Sequence, residues 1–177
     1  MKTAILVILF APFVFAQGPA PTPACGPISA QFQIKTESAG PSNAQPDPGK
    51  ALIYVVEDQL FKAVRDVTLR VGGDGVWVGA MRGNSYLYFS VEAGEHHLCA
   101  DWVSSFLAGG RAVAFFGFNA EAGKIYYFRA RTLGGPPSMG ERNGIYDTAT
   151  IDLDLINSDE GKFLTSHRPY SNSHAKK

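Results

Sequence analysis

The sequence predicts an all-β domain, a small antiparallel β-sandwich of about seven or eight strands with a short C-terminal helix. Glycine and proline are frequent, with 19 and 11 in 177 residues, which is typical of a chain that turns often. Apolar residues occur in short runs of strand length, and turn-forming residues separate these runs at fairly even intervals. The length suits one domain with tails.

The N-terminus has the features of a signal peptide, which we assign to residues 1–16. Lys2 precedes the apolar run Ala4–Phe15, and Val14 and Ala16 fit the small-residue rule of a signal peptidase site. The run is too short for a permanent transmembrane helix, which needs about 20 residues. We therefore expect a secreted or periplasmic protein with no transmembrane span in its mature form.

Cys25 and Cys99 remain after cleavage of this segment. A lipid anchor at Cys25 would make the protein a membrane-anchored lipoprotein. We do not favour this alternative, because Thr22 and Pro23 stand where a lipobox has a leucine-like and a small residue. In an oxidising compartment the two cysteines would form a disulfide that joins the N-terminal segment to the domain. Two unpaired thiols are the other alternative.

The rest of the chain divides by composition. Residues 17–49 are rich in proline, alanine, glycine and serine and predict a largely disordered linker, in which only ISAQFQIK has apolar spacing. Residues 50–165 form the predicted β-sandwich domain. A short helix is expected over DEGKFLTSH, with Ser158 as its N-cap, and residues 166–177 form a polar tail.

Strand-like runs follow one another through the predicted domain. In YLYFSV, alternation places Leu87, Phe89 and Val91 on one face and the two tyrosines on the other. Glycine-containing turns such as GGDG, EAGE and EAGK separate neighbouring runs. The predicted strands are KALIYVVED, DVTLRV, VWVGAM, YLYFSV, HHLCADW, RAVAFFGFNA, IYYFRARTL and TATIDLDLI.

The stretch EHHLCADW contains metal-binding residue types, but its spacing does not predict a metal site. On a strand, His97, Cys99 and Asp101 share one face. Zinc needs three or four ligands that converge from separate elements, and the remaining histidines lie in the C-terminal tail. We therefore expect no metal and no cofactor, and we interpret this stretch as the return strand of a hairpin.

No pattern of catalytic residues is present either. Cys99 and His97 would stand about 7 Å apart on one strand, which is long for a nucleophile and its base. Asp152 and Asp154 share a strand face, but alternating aspartates usually form a solvated face. With 16 basic and 16 acidic residues the chain also has no basic excess for nucleic acid. We therefore predict a protein that is not an enzyme and does not bind nucleic acid.

Aromatic residues give the less ordinary signal. Trp77, Tyr86, Tyr88 and Tyr126 lie in predicted strands, and in a two-sheet domain some of these side chains must be on an outer face. Clustered exposed aromatics mark binding surfaces for sugars, peptides or partner domains. The alternative is that the C-terminal helix or the N-terminal segment covers them.

The order of these motifs resembles a bacterial family known as domain of unknown function 2846. The family pattern has an opening strand KALIYVYR, a hairpin V.VDG..VG.L..G.Y....V.PGEH.I and a later AGKTYY.R. More distantly, VEAGEHHL is similar to surface domains named for a Pro-Glu-Gly-Ala motif. The matching residues are Lys50 to Val55, Val76 to Gly79, Gly83, Tyr86, Val91 to His96 and Ala122 to Arg129.

The resemblance implies a small β-sandwich in an exported or lipid-anchored envelope protein, and it carries no activity over to this chain. The sequence departs from the family in lacking a lipobox, and Glu57 stands near the position of an arginine in the family's first strand. We thus expect a non-catalytic, exported envelope or interaction module whose partner is a protein or another envelope component. The alternatives are a binding domain or carrier for a small hydrophobic or carbohydrate ligand, and a small hydrolase.

Overall fold

The computed structural model describes residues 24–38, 40–41, 44–59, 67–103, 111–133 and 150–176. These residues form two β-sheets and one short helix. In chain order the elements are β1 (Phe32–Glu37), β2 (Lys50–Glu57), β3 (Thr68–Gly73), β4 (Val76–Met81), β5 (Tyr86–Glu92), β6 (Gly94–Val103), β7 (Arg111–Ala120), β8 (Ile125–Leu133), β9 (Thr150–Ile156), α1 (Ser158–Ser166) and β10 (Tyr170–Ala175).

The strands form a six-stranded sheet, in the order β1-β10-β5-β2-β8-β9, and a four-stranded sheet, in the order β4-β3-β6-β7. The two sheets pack face to face, and the Ala80 backbone N–H of β4 donates a hydrogen bond to Ser173 Oγ of β10 (2.9 Å) where they meet. The predicted all-β fold with a C-terminal helix is confirmed. The six-stranded sheet is mixed, because β2 runs parallel to β8 and β10 runs parallel to β5.

The core lies between the sheets and follows the alternation of the sequence. Ile53 and Val55 of β2 are fully buried there, and Leu69 of β3 packs from the opposite sheet. The prediction for YLYFSV is confirmed on its inner face: Leu87 belongs to the core, and Phe89 packs against it. Consequently the alternate residues of β2, β5 and β8 lie on the outer face of the six-stranded sheet.

The predicted turn in GGDG is a tight hairpin between β3 and β4. Gly73 pairs with Val76, so Asp74 and Gly75 are the two loop residues. Both have positive φ, 50° and 85°, as a two-residue hairpin loop of type I′ requires. An aspartate followed by glycine is one of the preferred pairs for this loop.

Ordered structure extends beyond the predicted domain at both ends. β1 lies inside the segment predicted as a linker (17–49), and β10 lies inside the predicted tail (166–177). The two strands pair with each other antiparallel from Phe32 and Ala175 to Glu37 and Tyr170. Their pairing joins distant parts of the chain, and local composition does not predict such a contact. The predicted signal peptide (1–16) lies outside the described residues.

Helix α1 begins at Ser158, the predicted cap, one residue earlier than expected. Asn157, not Ser158, is the N-cap, and Asn157 Oδ1 accepts a hydrogen bond from the Glu160 backbone N–H (2.9 Å). Asparagine and serine are about equally good at this position, so the local sequence does not distinguish them. The helix packs on the outer face of the six-stranded sheet, where a Cβ added at Gly161 would come within 2.5 Å of Tyr127 Cβ.

Candidate functional site

Five of the seven tyrosines of the chain form one cluster on the outer face of the six-stranded sheet. They come from four adjacent strands, β10, β5, β2 and β8, and those on β2, β5 and β8 alternate with residues that point into the core. We call this surface the tyrosine face. Its members are Tyr54, Tyr86, Tyr88, Tyr127 and Tyr170.

The rings of the tyrosine face contact one another in a continuous chain. Tyr54 stacks on Tyr127 with centroids 5.0 Å apart and ring planes 15° apart. Tyr54 lies 5.4 Å from Tyr88 on the neighbouring strand, where the two residues are directly opposite in the ladder. Tyr88 and Tyr86 lie 5.5 Å and 5.6 Å from Tyr170 in tilted arrangements. Aromatic pairs at these distances stabilise each other beyond the area that they bury.

Burial raises the pKa of four of the five phenols. Burial, together with smaller contributions from the neighbouring tyrosines, raises the pKa of Tyr54 to about 12. Burial also raises the pKa values of Tyr86, Tyr127 and Tyr170 above the ordinary value. The face presents aromatic rings and hydroxyl groups, and the hydroxyl groups can both donate and accept hydrogen bonds.

The tyrosine face is covered at two places and open between them. Helix α1 lies over Tyr127 through Gly161, and the backbone of Gly40 hydrogen-bonds to Tyr86, so both tyrosines are buried. Tyr54, Tyr88 and Tyr170 are half-buried. The partly open rings of these three residues form the accessible part of the surface.

Ion pairs border the cluster. Lys50 Nζ lies 3.1 Å from Glu92 Oε1 at the ends of β2 and β5. On the other side, Arg131 Nη2 contacts Asp152 Oδ2 at 3.0 Å and Asp154 Oδ2 at 2.7 Å. The two aspartates are therefore bound to a guanidinium group, an arrangement that does not suit a pair acting as general acid and base.

The structure brings together two of the four predicted surface aromatics, Tyr86 and Tyr88. Tyr126 lies on the core side of β8, where its ring is 5.5 Å from Phe118 and its hydroxyl accepts a hydrogen bond from the Glu121 N–H (3.1 Å). Its neighbour Tyr127 takes the outer position. The alternation of IYYFRARTL separates these two tyrosines correctly, but it does not tell which of them faces the core, because the strand is apolar and aromatic on both sides.

The remaining members of the tyrosine face, Tyr54 and Tyr170, are additions from the structure. Tyr54 lies in the nearly continuous apolar run of β2, so its outward direction has no polar alternation to mark it. It is opposite Tyr88 in the strand pair, and this register is the signal that would have identified it. Tyr170 lies in the segment predicted as a tail.

Trp77 lies on the other sheet, under residues 24–31, which we call the N-terminal strap. Trp77 Nε1 donates a hydrogen bond to the Pro27 carbonyl oxygen (2.8 Å), and Gly26 lies against the indole ring. The strap is also joined to β6 by a disulfide between Cys25 and Cys99, whose Cα atoms are 5.2 Å apart. The N-terminal segment therefore covers Trp77, as one of the two alternatives for the predicted surface aromatics states.

The residues of EHHLCADW have separate structural partners. Asp101 is buried and ion-paired with Arg70, and Cys99 is in the disulfide. His96 Nδ1 lies 2.6 Å from Asp74 Oδ2, and His96 Nε2 lies 2.8 Å from the Glu92 carbonyl oxygen. Burial alone would lower the pKa of His96, but these two hydrogen bonds outweigh it and raise the pKa. Among the described residues, no group of three histidine, cysteine, aspartate or glutamate side chains is arranged to hold a metal ion.

Comparison with known proteins gives no relative: no family model, curated protein or solved structure matches the chain. The resemblance to domain of unknown function 2846 therefore stays a prediction. Within the part of the chain that the structure describes, no helix has the length and apolar character needed to cross a membrane.

Proposed function

We propose that this chain is an exported, non-catalytic interaction module and that the tyrosine face is its binding surface. The observation that carries the proposal is the contiguity of the five rings, with neighbouring centroids 5.0 to 6.1 Å apart on one sheet face. Tyrosine is enriched at protein interfaces because its ring offers a large contact area at low entropic cost and its hydroxyl supplies a hydrogen bond. Export is supported by the N-terminal sequence and by the disulfide, since disulfides persist in oxidising compartments.

A protein of the cell envelope is the partner that this surface suits best. The open rings of Tyr54, Tyr88 and Tyr170 would form the apolar centre of the contact, and the Lys50–Glu92 ion pair would lie at its polar rim. Interfaces with this division between centre and rim derive most of their binding energy from the central aromatics. Tyr88 contacts rings on both sides, Tyr54 and Tyr170, so we expect it to contribute most.

A photo-crosslinking amino acid at position 88 would test the proposal in cells, with a second at position 76 as the control. Val76 is exposed on β4 of the four-stranded sheet, not on the sheet that carries the tyrosine face. We expect a specific crosslinked partner from position 88 only. With that partner purified, Tyr88→Ala should weaken binding about tenfold or more, and Val76→Ala should leave it unchanged. Equal crosslinking from both positions, or unchanged binding by Tyr88→Ala, would contradict the proposal.

A carbohydrate ligand is the second candidate, favoured by the neutral hydroxyl groups on half-buried rings. Purified envelope polysaccharide offered to the wild-type protein and to Tyr88→Ala distinguishes the two candidates. Binding that Tyr88→Ala loses would assign the tyrosine face to a glycan, whereas no binding by the wild-type protein would leave the protein partner as the assignment.

A further inference from the structure

Two outward aromatic surfaces of this protein already bind a segment of its own backbone. Gly26 lies on the indole ring of Trp77, where an added Cβ would come 2.5 Å from Trp77 Cδ1. Gly40 lies at the margin of the tyrosine face, where an added Cβ would come 3.1 Å from Tyr170 Cγ. The Gly40 backbone also hydrogen-bonds to Tyr86. In both places the absence of a side chain lets the backbone lie directly on a ring.

Each of these glycines precedes a proline. Pro27 follows Gly26, Pro41 follows Gly40, and both prolines are exposed. Proline favours an extended conformation of the residue before it, and neither glycine has a positive φ. The Pro27 carbonyl oxygen accepts a hydrogen bond from Trp77 Nε1 (2.8 Å). The protein thus places an extended Gly-Pro segment on an aromatic ring twice, once on each sheet, and polar groups of the rings hydrogen-bond to its backbone.

The open rings of the tyrosine face lie next to the second of these contacts. Tyr170, which adjoins Gly40, lies 5.5 Å from Tyr88, and Tyr88 lies 5.4 Å from Tyr54. These three tyrosines are half-buried, and their hydroxyl groups can donate hydrogen bonds to a ligand. The surface that receives Gly40 therefore continues into rings that a second molecule can reach.

The position of these rings selects the conformation of the ligand. They stand on the face of a sheet, whereas a ligand strand pairs with a sheet at its edge. An α-helix uses its carbonyl groups internally, but a polyproline II segment has no internal hydrogen bonds and leaves its carbonyl groups free. Six residues in this conformation are about 19 Å long, enough to cross three rings whose neighbouring centroids are 5.4 and 5.5 Å apart.

The charges around the open rings are paired, which favours an uncharged ligand. At one end Lys50 Nζ lies 3.1 Å from Glu92 Oε1. On β1, Lys35 Nζ lies 3.3 Å from Glu37 Oε1, and Glu37 is opposite Tyr170 in the ladder. Neither border therefore offers an excess of one charge, and uncharged residues such as proline, alanine and glycine suit the surface.

We propose that the partner of the tyrosine face presents a proline-rich segment, with small residues between its prolines, bound in polyproline II conformation across Tyr170, Tyr88 and Tyr54. This inference rests on the proposed function, in which the tyrosine face is the binding surface. The rings contact the prolines and the small residues, and the hydroxyl groups donate to carbonyl groups of the segment, as Trp77 donates to Pro27. The conformation of such a segment is formed before binding, so its entropic cost is low.

A synthetic peptide of alternating alanine and proline, about twelve residues long, tests this inference on the purified protein. The control peptide has serine in place of every proline. Backbone amide NMR should show saturable shifts at Tyr54, Tyr88 and Tyr170 but not at Val76, and the control peptide should bind at least about tenfold more weakly. Tyr88→Ala should weaken binding of the alanine-proline peptide about tenfold or more, and Val76→Ala should leave it unchanged.

The shift map uses the wild-type protein, so it decides the result even if Tyr88→Ala does not fold. No binding of the alanine-proline peptide, equal binding of both peptides, or shifts confined to other surfaces would overturn the inference. Mapping the photo-crosslink from position 88 on the partner separates this failure from failure of the proposed function. A crosslink outside any proline-rich segment would overturn only the inference, whereas no specific crosslink from position 88 would overturn the proposed function as well.

Discussion

Glu57 gives the sharpest test of the physical reasoning, because its carboxyl group is only 1% exposed at the end of β2. Glu57 Oε2 accepts a hydrogen bond from the Asn84 N–H (3.2 Å), and Oε1 accepts one from the Gln59 amide. Burial outweighs the opposing effect of these hydrogen bonds, and together they raise the pKa of Glu57 to about 7. The folded protein thus carries a carboxyl group that releases its proton near neutral pH.

The sign of the effect on stability follows from the direction of this shift. The ordinary pKa of glutamate is 4.5, below the value in the folded protein, so the folded state holds the proton more tightly than the unfolded chain. The contribution to stability is therefore fully present below about pH 4.5 and is lost as the pH rises to about 7. Since one pKa unit corresponds to about 1.4 kcal/mol, the loss amounts to about 3 kcal/mol.

The perturbation is Glu57→Gln, which removes the titration but keeps the size of the side chain. Urea unfolding of both proteins at pH 4.5 and pH 8 gives the difference in free energy of unfolding at each pH. We expect this difference to change by about 3 kcal/mol in favour of the variant at the higher pH. Glutamine places an amide group opposite a backbone donor, but that cost does not vary with pH. Glu121→Gln, at an exposed turn position, is the matched control and should show no such change.

A difference between wild type and Glu57→Gln that is the same at both pH values would refute the reasoning. It would mean that the carboxyl group is hydrated or paired well enough to ionise normally. A change of the opposite sign would mean that the charged form is the one that the fold stabilises.

Two further predictions concern the strap and the helix. Replacing both Cys25 and Cys99 by serine should lower the free energy of unfolding, because the disulfide closes a loop of 74 residues. The loop-closure estimate of this loss is about 4.5 kcal/mol. Guanidinium unfolding of the variant and of the oxidised wild type measures the difference. Gly161→Val should lower the free energy of unfolding by about 1–3 kcal/mol, since the added side chain meets Tyr127. Phe163→Ala, at an exposed position of the same helix, should change it by less than about 0.5 kcal/mol. Thermal unfolding compares the two variants.

Strands and turns that depend on local sequence were predictable, and those that depend on distant partners were not. β5 has a clean alternation, and its Leu87 and Phe89 are on the core side as predicted. β10, with the sequence YSNSHA, is polar and short, so its local sequence predicts a tail. Only its pairing with β1 identifies it as a strand. β10 lies between β1 and β5 in the sheet, and its ladder with β1 is made by backbone hydrogen bonds, which require no apolar side chains.

The sequence predicted the kind of candidate site, a surface of outward-facing aromatic residues, but only some of the residues that form it. Aromatic alternation identified Tyr86 and Tyr88 as outward residues, and the ladder joins them to Tyr54 and Tyr170. The packing of the facing sheet decides which aromatic residues of a strand point outward. The alternation within a single strand does not carry this information. Whether an outward ring stays open is decided by covers such as helix α1, which depend on tertiary packing.

The pairing of β1 with β10 also sets the order in which the molecule is completed. The ladder joins residues 32–37 to residues 170–175, so it forms only when these two distant segments meet. Contacts between such distant positions slow folding, since the intervening chain must first be closed into a loop. Without β10, β5 lacks a neighbour on that side, and an incompletely folded molecule exposes a strand edge that can pair with other chains. The β1–β10 ladder is thus the strand pairing with the widest sequence separation in the described structure.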